Sequence, residues 1–118
     1  MPIPENTKTA EKAGFLEKNT GKIYIAGKVT GEDPQKVTEK FEAAQNYLEQ
    51  LGYEVMNPVR IVKDITMPWQ EAMRLCIKAL VECDHIYLLP CYSRSAGALL
   101  ECQIAQKLDI NRIYSFEQ

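Results

Sequence analysis

Residues 84–108, DHIYLLPCYSRSAGALLECQIAQKL, spell out a strand, a loop and a helix in succession. The run 85–89 is apolar and β-prone and is closed by Pro90, which reads as a buried strand. Ser95 is a good N-cap residue, and the helix it opens is expected to run to about Leu108. A strand that feeds a helix in this way is half of a parallel crossover unit, and the rest of the chain repeats the pattern.

Upstream, residues 23–26 (Ile-Tyr-Ile-Ala) form a short strand closed by Gly27, with Gly31 following in the loop. Asp33-Pro34 supplies an N-cap and a first-turn proline, after which Val37, Phe41, Ala44, Leu48 and Leu51 recur at helical spacing until Gly52 ends the helix. Residues 53–56 make a second strand, broken by Asn57-Pro58, and a long loop runs to Pro68. A helix over about 68–82 aligns Trp69, Met73, Cys76, Leu80 and Cys83, and residues 112–116 form the last strand. The expectation is an α/β fold: a small Rossmann- or flavodoxin-like parallel sheet of about four strands flanked by three helices. Ligands of such sheets collect beyond the carboxyl ends of the strands, here the loops 27–33, 57–68 and 90–95.

Residues 1–20, with Pro2, Pro4 and only Phe15-Leu16 as an apolar anchor, read as a flexible N-terminal arm ahead of a single domain over 21–118. Three helices for two sheet faces leave apolar surface, so a homodimer or larger homo-oligomer is expected.

The 118 residues suit one domain, and 46% hydrophobic with 25% charged residues is an ordinary globular balance. Fourteen basic against sixteen acidic residues give a formal charge of -2, without the basic excess that grips nucleic acid or anionic membranes. No apolar run approaches the ~20 residues of a membrane span. Met1-Pro2-Ile3-Pro4-Glu5 lacks the look of a secretory signal, and Cys76, Cys83, Cys91 and Cys102 include no C-x-x-C, so free thiols in the cytoplasm are expected. His85 and these cysteines match no zinc spacing, and His85 opens a strand far from the functional loops, which argues against a metal site and a Ser-His-Asp triad. Neither a metal nor an organic cofactor is implied.

Glu101 is the most informative residue. At 100° per residue, Gly97, Ala98, Ile104, Ala105 and Leu108 lie within about 60° of it, so a carboxylate sits in the middle of an apolar stripe among mostly small neighbours. Burial raises a carboxyl pKa, which suits a nucleophile or acid/base; the plainer alternative is a structural Glu held by amides or a lysine. Ser93, Arg94 and Ser95 precede the helix and make an anion site plausible, against simple capping by Ser95. Lys28 and Thr30 are candidates for phosphate or sugar contacts, against ordinary turn surface, and Trp69 for stacking on a base, against a place in the core.

Taken together, Ile23-Tyr24-Ile25-Ala26-Gly27, the 82–90 block, the Asn57-Pro58 turn, Trp69 opening a helix and Ser95-x-Gly97-x-x-x-Glu101 resemble the nucleoside 2-deoxyribosyltransferase superfamily, especially its short uncharacterised bacterial and phage members. The resemblance implies a glutamate nucleophile at Glu101, oriented by Tyr24, that attacks the anomeric carbon of a nucleoside and forms a glycosyl ester. It implies sugar access at Gly27 and Gly97. Ser95, where transferases carry Asp and the deoxynucleoside 5′-monophosphate hydrolases carry Ser, implies with Arg94 a nucleotide 5′-phosphate. One departure stands out: Cys76 occupies the place of an aspartate that assists departure of the base. Cleavage or transfer of an N-glycosidic bond is therefore the leading expectation, and a non-catalytic nucleotide-binding or regulatory module the alternative. Asp64 in the long loop is a candidate to compensate.

Overall fold

The structure, a computed structural model, describes residues 21–115; the arm proposed for residues 1–20 and the end of the last strand at Phe116 lie outside the described residues. The elements follow the order β1 (Lys22–Ala26), α1 (Pro34–Gln50), β2 (Glu54–Met56), α2 (Pro58–Ile61), α3 (Trp69–Val81), β3 (His85–Leu88), a 3-10 turn (Pro90–Arg94), α4 (Ala96–Lys107) and β4 (Asn111–Tyr114). All strand pairs are parallel, in the order β2-β1-β3-β4, so β1 and β3 are central. This is the α/β parallel sheet expected from the chain.

The two-residue alternation of the central strands sorts the core. Ile23 and Ile25 of β1, with Tyr87 and Leu89, pack with Val37, Phe41, Ala44 and Leu48 of α1 on one face. Tyr24 and Ala26, with Ile86 and Leu88, pack on the other with Cys76, Ala79 and Leu80 of α3 and Ala98 and Ala105 of α4. Tyr24 is thereby committed to the face that carries Glu101.

The end signals of α1 act as read. Asp33 accepts a hydrogen bond from the Lys36 amide at 3.3 Å. At the other end Gly52, at φ +106°, donates to Glu49 O while Tyr53 donates to Leu48 O, the paired closure of a Schellman motif.

Helix α2 is a correction to the three-helix expectation. Asn57, read as a breaker, is 3% exposed and caps this helix: Oδ1 accepts from the Val59 amide at 2.9 Å, and Nδ2 donates to Gln45 Oε1 at 3.0 Å. Four residues are too few to show helical periodicity, so only the cap signal marked it. The last strand is also displaced, starting at Asn111 and ending at Tyr114. Among the described residues no helix is long and apolar enough to cross a membrane.

Gly27, at the end of β1, is fixed by space. A Cβ there would stand 2.8 Å from Leu89 Cδ1 and 3.2 Å from Phe41 Cζ, against the core under the loop. Gly27→Ala is expected to destabilise the fold by about 1–3 kcal/mol through overpacking, read as a lowered urea midpoint at unchanged slope.

Candidate functional site

Glu101 is 4% exposed, in the middle of α4, where the apolar stripe packs against the sheet. The Tyr24 hydroxyl, delivered from the central strand, donates to its Oε2 at 2.7 Å in a buried bond. Burial pushes the Glu101 pKa up to about 7, against the lowering effect of Tyr24. Burial, followed by the Glu101 and Cys76 charges, drives the Tyr24 phenol well above its ordinary range, so it stays protonated and remains a donor. Among the described residues the carboxylate's hydrogen-bond partner is a phenol, in place of the backbone amides or lysine expected for a structural glutamate.

Cys76 on α3 completes a trio with this pair. Its thiol is buried, and desolvation raises its pKa to about 11, with a smaller lowering from the Tyr24 hydroxyl and a raising from the Glu101 charge. It is a neutral group near pH 7.

Above the trio opens a cleft of about 510 Å³, at the carboxyl end of the sheet and lined by residues of all three loops singled out from the sequence, the third through Ser95. Tyr24, Gly27, Thr30, Trp69, Cys76, Ser95, Gly97 and Glu101 all line it. Trp69 is 45% exposed at the start of α3, so the core placement weighed for it is not the one adopted. Gly97 faces the cleft wall at Met73, whose Sδ would lie 3.0 Å from a Cβ.

Two candidates stand apart. Lys28 and Arg94 are not among the lining residues; the Lys28 ammonium donates to Arg94 O at 3.2 Å, which ties the first loop to the 3-10 turn. Lys40, a residue the sequence did not single out, reinforces that tie: its ammonium donates to Lys28 O at 3.0 Å and to Cys91 Sγ at 3.2 Å, while the Lys28 amide donates to the same sulfur at 3.2 Å. Ser95 accepts from the Ala98 amide at 3.1 Å, so its hydroxyl serves as the helix cap while lying on the cleft.

Several wall residues carried no individual signal: Ile65, 87% exposed, Met67 and Met73. Their loop or helix position was the only available clue. Asp64 also reaches the cleft; its Oδ1 accepts from the Thr66 amide at 2.9 Å and hydroxyl at 2.6 Å, and these bonds hold its pKa below the ordinary carboxylate range. It is an acceptor, then, and a poor acid. Among the described residues no group of three or more His, Cys, Asp or Glu side chains is arranged to hold a metal ion.

The raised Glu101 pKa has a sign that can be checked. A carboxyl near 4.5 when unfolded and about 7 when folded gives up stability as pH climbs from 4.5 to 7, because the unfolded chain releases its proton first. The cost of ionising it above pH 7 is about 3 kcal/mol. Glu101→Gln is expected to raise the melting temperature at pH 8 by on the order of 10 °C and to change it little below pH 4.5, as followed by circular dichroism across a pH series.

No curated protein matches the sequence. A family model described as Domain of unknown function (DUF4406) matches residues 21–114, which span every strand and helix described above and both members of the Tyr24–Glu101 pair. The chain belongs to that family.

Proposed function

We propose that this protein cleaves or transfers the N-glycosidic bond of a nucleoside, deoxynucleoside or nucleoside 5′-monophosphate, with Glu101 as nucleophile. The observation that carries this reading is the buried Tyr24–Glu101 hydrogen bond at the floor of an open cleft. A carboxylate at such a depth costs stability, and a nucleophilic role gives that cost a use. The resemblance of the sequence to nucleoside 2-deoxyribosyltransferases supplies the substrate class.

In this mechanism the ionised Glu101 attacks the anomeric carbon through the oxygen not held by Tyr24. A C–O bond forms as the C–N bond breaks, and the electron pair leaves with the base, which takes its proton from water. Water or a second base then opens the glycosyl ester and restores the carboxylate. Tyr24 holds the reacting group in place and keeps its proton. Free cysteines support a reducing, cytoplasmic setting, and the exposed apolar residues Leu75, Val81 and Leu99 on the outer helices support a homo-oligomer.

The second reading, a nucleotide-binding module without turnover, is favoured by Cys76. A thiol with a pKa of about 11 is a poor proton donor to a departing base, and general acid help of that kind is worth about 10² to 10⁴ in rate.

Chromatography of free base after incubation with nucleosides and 5′-monophosphates tests the reading. Release is expected in the wild type and none in Glu101→Gln; no release from any substrate moves the assignment to the binding module. As a base or nucleophile must be ionised, kcat/KM is expected to rise with pH to a plateau, with an apparent pKa near 7. Tyr24→Phe removes the bond that lowers this pKa, so the profile should shift upward and the plateau should fall about 10- to 100-fold. Cys76→Asp should increase release if the missing carboxylate limits turnover; an unchanged rate would count against that account.

A further inference from the structure

The lining of the cleft carries a charge pattern that narrows the ligand. Its charged side chains are Glu32, Asp64 and Glu101, and among the described residues no Lys, Arg or His lines it. Glu32 is partly offset by Lys40 at 3.5 Å, but that ammonium is already committed to Lys28 O and Cys91 Sγ. Of the positive groups nearest in sequence, Lys28 and Arg94, neither lines the cleft, and the Lys28 ammonium donates to the Arg94 backbone carbonyl. The Ser95 hydroxyl caps the helix by accepting from the Ala98 amide, and its own proton adds a neutral donor, not a cation, to the wall. The remaining wall is largely apolar, with Ile65, Met67 and Trp69 along the 57–68 loop and its exit, which suits a flat aromatic group.

We infer that the cleft selects an uncharged nucleoside over its 5′-monophosphate. This rests on the glycosidic reading above and reverses the preference for phosphate that Ser95 and Arg94 suggest from sequence alone. A phosphate placed here meets carboxylates and no lining cation, and repulsion of this kind in a partly desolvated cleft weakens binding by at least about tenfold. A nucleoside brings hydroxyl and amino donors that the carboxylates accept, and a base that the apolar wall covers.

Matched pairs of nucleoside and 5′-monophosphate decide the matter, with the wild-type protein followed both by base release and by ligand titration. The nucleoside is expected to have kcat/KM at least about tenfold higher, or Kd at least about tenfold lower if no base is released. Raising the salt concentration or introducing Asp64→Lys should narrow the gap, because both relieve the repulsion. A monophosphate bound or cleaved as well as its nucleoside overturns the inference and leaves the glycosidic reading standing. Failure of both ligands to bind and to release base overturns the two together.

Discussion

The structure turns on one hydrogen bond, from a phenol in the central strand to a carboxylate buried in the last helix. Burying that carboxylate with no cation beside it among the described residues is unfavourable, and a single neutral donor offsets only part of the cost. What holds the arrangement is the packing around it. Ile86, Leu88, Ala98 and Ala105 form the surrounding core, so the carboxylate meets the outside only through the cleft. Stability of the helix–sheet contact and ionisation of Glu101 are thus coupled, and the fold sets the proton affinity of its own candidate nucleophile.

Much of this was legible in the chain. Glu101 announced itself by standing in an apolar stripe, and the strand–helix alternation gave the sheet. Tyr24 was a different case: alternation puts it on one face of β1, but only the crossover topology decides that α4 lies over the same face. Its role came from resemblance, and the 2.7 Å bond supplies the physical link. Lys28 and Arg94 show the opposite limit. Both flank residues that line the cleft, yet neighbours along a strand end or a tight turn diverge in space, and these two meet each other instead.

The loop 57–68 lines the cleft, as its place beyond the carboxyl ends of the strands suggests, while its content was hidden. Asn57-Pro58 signals a break and also the start of a helix; here Asn57 Oδ1 caps the helix while its amide donates to the distant Gln45. Asp64 illustrates a related point. Its local bonds to Thr66 could be anticipated from spacing, but its place on the cleft depends on how the loop closes over the sheet.

The clasp made by Lys40 gives the cleft unequal walls. One side, built from the loop after β1 and the turn after β3, is cross-braced by an ammonium that grips a carbonyl and a sulfur on two separate segments. The opposite side between α2 and α3 is organised by a local Asp64–Thr66 turn and presents Ile65 almost wholly to solvent. The first wall is therefore tied across segments distant in the chain, while the Asp64 turn is held within three residues.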